Sequence, residues 1–292
     1  MSHKVTWTAC DALRRLIAAA LHIPTTGSLY TTQPTNIESV AFDVSVQGFA
    51  SDNEPTASGA PLMANIVRTL HNAQIECCFA GVAALVYYGA HRTMQDWTLC
   101  IEDSRFAAAE ALLESPSGII EPWQQSSMKP NGTIEHRFPR FKFKGFRCLF
   151  HIVPGWLFRL TCSPDTIEFS KLGLPFPRLD VLAQSLLETI NRVDLQDLVD
   201  GMALSYEWGL ENLQLDGLSD TDWAARRLDF HEGSGDWAPV LLRREGASKL
   251  ATWNRVASAE ARAKGRRHKE MPRDETRFRF KGQKDPRELH NW

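Results

Sequence analysis

The residues able to do chemistry fall into several groups along the chain. Cys10, Cys77, Cys78, Cys100, Cys148 and Cys162 include no Cys-x-x-Cys pair and no zinc-finger spacing. They are expected to be reduced thiols of an intracellular, cytoplasmic protein. Cys77 and Cys78 lie in a short apolar run and read as strand core, with a redox role as the lesser alternative. Arg92, with His91 beside it, either contacts phosphate at the edge of a sheet or pairs at the surface with Asp96 or Glu102. His151, between Phe150 and Ile152, is a hydrogen-bonded histidine on a half-buried strand or a ligand for a metal softer than Mg²⁺. Asp194, Asp197 and Asp200 have helical spacing and make a solvated helix face or a metal site. Arg277, Phe278, Arg279, Phe280 and Lys281 alternate cations with aromatics, a pattern that can track a phosphate backbone and stack on bases. RNA is therefore a candidate partner of this segment. The alternative is a solubilising or targeting tail, or one folded back on the body.

Composition sets the frame for these groups. The 292 residues are 43% hydrophobic and 23% charged, with 33 Lys+Arg, 35 Asp+Glu and a formal net charge of −2. This globular balance excludes wholesale disorder, collagen and coiled coil. No apolar run of about 18 residues is present, so no membrane-spanning helix and no membrane partner are expected. The near-neutral total conceals a division, since residues 241–292 carry a balance of +8 and residues 1–240 one of −10. An acidic body joined to a basic tail is the stronger observation.

The elements that must position these residues follow from periodicity. Leu13, Leu16, Ile17, Ala20 and Leu21 recur as an amphipathic helix, and residues 24–60 read as loop around a short strand at Val40–Val46. Pro61–Ala73 reads as a helix, Glu76–Ala80 as a buried strand and Val82–Tyr88 as a second helix. Trp97–Ile101 follows as a strand, then Ser104–Glu114 as a helix capped by Ser104. Thr133–Phe138, Phe141–Lys144 and Arg147–Val153 read as strands, with a turn at Lys144-Gly145. Residues 175–230 are expected to be helical, and Trp156, Trp208, Trp223, Trp237 and Trp253 to cover the junction between sheet and helices. The organisation expected is an N-terminal extension (1–60), an α/β (α+β) core with a mixed sheet and flanking helices (61–155), a helical lobe (156–255) and a basic tail (256–292).

The run from Phe79 to Glu102 carries a resemblance. Gly81, Ala83, Ala84, Tyr88, Gly89, Arg92 and Asp96 stand in an order similar to the signature of the nucleotidyltransferase superfamily, the DNA polymerase β-like fold. The closest flavour is its stand-alone abortive-infection-type and fungal relatives. There a strand ends in Gly-Gly or Gly-Ser, a helix and an arginine follow, and a strand then carries Asp-x-Asp. Arg147–Val153 resembles the strand that supplies a third carboxylate, and Arg192 to Asp200 resembles a later Arg/Asp-rich segment. The likeness covers about residues 62–205.

This resemblance implies a nucleotide or small-molecule substrate, Mg²⁺ as cofactor, phosphate contacts from Gly81, Val82, His91 and Arg92, and a catalytic set at Asp96, Thr98 and His151. Nucleotidyl transfer uses two divalent ions held by clustered carboxylates, and Mg²⁺ prefers hard oxygen ligands. In this chain the Asp-x-Asp pair reads Asp96-Trp97-Thr98, a histidine occupies the third position, and Val82 follows the single Gly81. Asp96 is left as a weak metal ligand. The expectation is a divergent transferase or a nucleotide- or RNA-binding relative (a pseudoenzyme). The alternatives are a non-catalytic protein-interaction module, or an RNA- or tRNA-using enzyme with different chemistry on the same fold.

Overall fold

The structure, a computed structural model, describes residues 59–115, 118–123, 134–232, 246–261, 284–290 and 292. All belong to one compact unit that runs Val44–Trp292. The helix expected at Leu13–Leu21, the strand at Val40–Val46, Trp237 and the segment Arg277–Lys281 lie outside the described residues.

A mixed sheet with helices packed against it forms the centre. Helix α1 (Gly59–Asn72) buries Leu62, Met63, Ile66 and Leu70, one stripe of a 3.6-residue repeat. Strand β1 (Cys77–Ala80) leads directly into α2 (Gly81–Tyr87), and β2 (Trp97–Ile101) follows. Helix α3 (Phe106–Glu114), β3 (Ile120–Pro122), β4 (Arg140–Phe143) and β5 (Leu149–Pro154) complete this part. The strand order is β1-β2-β5-β4-β3. Strand β2 runs parallel to β5, and the other pairings are antiparallel.

Two local expectations are corrected and one element is added. Residues Glu135–Arg137 form a 3-10 turn instead of a strand. Ile134 and Phe138 thereby join one apolar cluster four residues apart, a helical spacing. Ser104 caps nothing; it lies in a 3-10 turn, Asp103–Arg105, and donates to Glu102 Oε1 at 3.0 Å. Ile120–Pro122, for which no element was expected, is the edge strand of the sheet.

The helical lobe contains a second, two-stranded sheet that the periodicity did not suggest. After α4 (Gly155–Phe158), β6 (Ile167–Phe169) pairs with β7 (Pro175–Pro177). Phe176 of β7 stacks on Tyr87 with ring centres 4.1 Å apart and packs beside Phe79. Helices α5 (Leu179–Glu188), α6 (Arg192–Met202), α7 (Tyr206–Asn212), α8 (Thr221–Glu232) and α9 (Lys249–Ala257) follow, and α10 (Pro286–Leu289) closes the described chain. Side-chain caps start five of them, at Asn191, Ser205, Asp220, Ser248 and Asp285.

Period-two alternation splits the sheet into two faces. Cys77, Phe79, Trp97, Leu99, Ile101, Phe150 and Ile152 face the main core. Cys78, Ala80, Cys100 and Val153 face a smaller cluster with Leu157, Leu160, Cys162 and Ile167. Helix α8 covers that cluster: Trp223 donates to the Trp156 carbonyl at 2.9 Å, and Phe230 stacks on Phe138. Trp156 and Trp223 thus occupy the expected sheet–helix junction, whereas Trp208 and Trp253 pack against each other inside the lobe.

Candidate functional site

Asp96, Thr98 and His151 meet on the smaller-cluster face of the sheet. Thr98 and His151 are direct partners in the β2–β5 register, and Asp96 precedes Thr98 by one strand repeat. His151 Nε2 lies 3.2 Å from Thr98 Oγ1, and its Nδ1 lies 3.3 Å from Asp96 Oδ2. The Nδ1 contact is off the line of a full hydrogen bond. The neutral tautomer that suits both neighbours carries its proton on Nδ1 and accepts the Thr98 hydroxyl at Nε2. His151 and Thr98 are buried, while the Asp96 side chain stays 29% exposed and open to a ligand.

Arg140 joins this row from β4, where it stands opposite His151 in the antiparallel register. Its guanidinium lies 3.5 Å from Asp96 Oδ2. Burial alone would raise the Asp96 carboxyl, but His151 and then Arg140 outweigh it and hold the group below its usual value. Sequence reasoning missed Arg140. The alternation Arg140, Lys142 on β4 was a usable signal, but only the pairing with β5 shows which face it shares.

Gly81 sits beside this row. Its φ of +57° is the left-handed conformation that glycine adopts at least cost. A Cβ there would come 3.5 Å from Thr98 Oγ1, an ordinary contact, so conformation rather than space asks for glycine. Val82 is partly buried in the first turn of the seven-residue α2. His91 is exposed. On the other side of Asp96 a concavity of about 90 Å³ is lined by Gly59, Gln95, Asp96 and Arg147, among others. It has room for a phosphate-sized group, well short of the several hundred Å³ that enclose a whole ligand.

Arg92 pairs with α6 instead of with Asp96 or Glu102. Its Nε and one Nη contact Asp197, and the same Nη lies 3.4 Å from Asp194. This overturns the solvated face for the three aspartates: Asp197 and Asp200 are both buried, and Asp200 accepts from Gln196 at 2.9 Å. Burial raises the Asp194 carboxyl, against the pull of Arg92 and Asn191. Arg92 therefore fastens the loop leading to Asp96 onto α6, which is a positioning role.

The donor set does not fit two Mg²⁺ ions. One carboxylate, a hydroxyl and an imidazole, with the Arg140 guanidinium 3.5 Å from that carboxylate, supply too few of the hard oxygen ligands that Mg²⁺ takes. Among the described residues, the one group of three or more His, Cys, Asp or Glu whose donor atoms converge is Cys78, Cys100 and Cys162. No helix among the described residues is long and apolar enough to cross a membrane.

No family model matches the chain, and the search of curated proteins found no match. A solved structure described as the crystal structure of JHP933 from Helicobacter pylori is similar over 60% of this chain and 73% of that one, at 15% identity and a TM-score of 0.30. A likeness at that level carries no argument about this protein.

Proposed function

We propose that this chain is a nucleotidyltransferase-fold protein that binds the phosphate of a nucleotide or another small phosphorylated ligand without two-metal turnover. The observation behind this reading is the Arg140 guanidinium set against the single carboxylate of the Asp96 row. In the family that the sequence resembles, this row is an acidic trough that holds cations. Here Asp96 is the one carboxylate among Asp96, Thr98 and His151, and Arg140 lies 3.5 Å from it. Arg147 borders the adjoining concavity. A guanidinium provides planar, bidentate donors for a phosphate and needs no intervening ion. His151 takes the hydrogen bond of the Thr98 hydroxyl and so fixes that hydroxyl, which offers the row only its lone pairs as an acceptor.

Calorimetry of the full chain with ATP, in EDTA and in Mg²⁺, tests this. Binding is expected in both, and Mg²⁺ is expected to tighten it less than about threefold, under 1 kcal/mol. Mg²⁺ alone is expected to bind in the millimolar range or worse, about −4 kcal/mol or less favourable. Arg140→Ala is expected to weaken ATP at least about tenfold, or 1.4 kcal/mol. Release of pyrophosphate that requires Mg²⁺ and is abolished by Asp96→Asn would reverse the proposal and make the chain an active transferase.

A further inference from the structure

We propose that Cys78, Cys100 and Cys162 form a dry, three-coordinate thiolate site for a soft monovalent cation, Cu(I). Their sulfurs all lie within 4.8 Å of one another, and Cys78 Sγ is 3.5 Å from Cys162 Sγ. Three sulfurs each about 2.3 Å from one ion in a plane stand roughly 4 Å apart, so the cluster needs little closure.

Two of the ligands are fixed by the sheet. Cys78 and Cys100 are directly opposed on β1 and β2, on the face shared with Thr98 and His151. The third arrives on the loop between α4 and β6. Arg159 ends α4 in the left-handed region, and Ser163 N donates to Thr166 Oγ1 at 3.1 Å, which folds the loop so that Cys162 points inward. Its thiol lies 3.4 Å from the Cys100 carbonyl.

The surroundings decide which ion suits the site. All three cysteines are buried, and the shell is Ala80, Ile134, Val153, Leu157, Leu160 and Ile167. No fourth His, Cys, Asp or Glu donor among the described residues joins them. Zn²⁺ takes four ligands in protein sites and would need a water here, where the apolar wall gives that water nothing to bond. Thiolates select Cu(I), a d¹⁰ ion content with three sulfurs. Copper stays monovalent throughout, and each thiol that coordinates releases its proton to solvent, so affinity rises with pH.

The test uses the full chain, reduced and under argon, titrated with Cu(I) against a chromophoric Cu(I) chelator and with Zn²⁺ against a zinc indicator. One Cu(I) per chain is expected to be withdrawn from the chelator, and X-ray absorption is expected to show three sulfur neighbours. Cys162→Ser is expected to lower Cu(I) affinity at least about 100-fold, since even partners outside a metal's direct ligands are worth up to that much. Cys148→Ser, a buried thiol outside the cluster, is expected to leave it unchanged. Matching circular dichroism of copper-free wild type and Cys162→Ser separates loss of a ligand from loss of the fold. If that variant does not fold, X-ray absorption of the wild type decides. The proposal is overturned if no Cu(I) is retained, if Cys162→Ser binds as tightly, if fewer than three sulfurs surround the ion, or if Zn²⁺ is held as firmly with a fourth ligand.

Discussion

Replacing Arg92 by methionine keeps much of the side-chain stem and removes the charge shared by Asp197 and Asp194. The Asp197 side chain is only 7% exposed, so its carboxylate would be left uncompensated in the lobe. Breaking a buried pair from one side costs about 3–5 kcal/mol. Asp194 is 20% exposed and keeps the Asn191 amide at 2.7 Å, so its share is the smaller. The uncompensated buried carboxyl can escape by taking up a proton, since burial without a cation disfavours its charged form. The sign follows directly. A carboxyl raised in the folded state costs nothing below its unfolded pKa, and the cost grows as pH climbs through the folded value. Urea unfolding at pH 7.5 should therefore show Arg92→Met less stable by about 3 kcal/mol, and the gap to wild type should narrow markedly by pH 5. At roughly 2–4 °C per kcal/mol, the melting temperature should fall by about 6–12 °C at pH 7.5. A loss below about 1 kcal/mol, or one equally large at pH 5, would refute the account of Arg92 as the clamp on buried acids.

Three other outcomes follow from the same geometry. Asp96 is held low by His151 and Arg140, so its contribution to stability is complete above its unfolded pKa and lost as pH falls through the lower folded value; carboxyl-detected NMR of His151→Ala should find the Asp96 titration moved upward, and an unmoved one counts against the contact. Lys249→Met should destabilise by about 3–5 kcal/mol because Glu188, 2.9 Å away, loses its partner. Glu188→Gln combined with Lys249→Met should recover much of that, and a double-mutant cycle with no coupling would contradict it. Gly201→Ala places a Cβ 2.5 Å from the Tyr88 carbonyl, where α6 meets the end of α2, and should cost about 3 kcal/mol by calorimetric melting; a neutral result would mean that the two helices are not pressed together.

Local pattern carried the chain as far as the row Asp96–Thr98. The strand–helix–strand run from Cys77 to Ile101 has clean periods and falls within a residue of its expected bounds. Alternation along β2 and β5 put Asp96, Thr98 and His151 at positions that a parallel pairing can bring together. What no local pattern contains is that pairing, which joins residues some fifty positions apart. Arg140 and the three cysteines were invisible for this reason: each belongs to a site only through strand register or the α4–β6 loop. The aspartates of α6 misled in the same way, because their helical spacing is that of a wet face until Arg92, about a hundred positions earlier, arrives to bury them. Strands β6 and β7 are three residues each, too short to show alternation, and β7 is Pro-Phe-Pro.

The end of the described chain returns to the body. Arg287 pairs with Glu168 and Asp285, Lys171 donates to the Glu288 carbonyl at 2.6 Å, and Trp292 packs against Trp97 and Phe176. Residues 262–283, with most of the basic balance, are therefore bound covalently at Ala261 and Lys284 to elements of the same compact unit. The basic run is a span with two tethers and no free end.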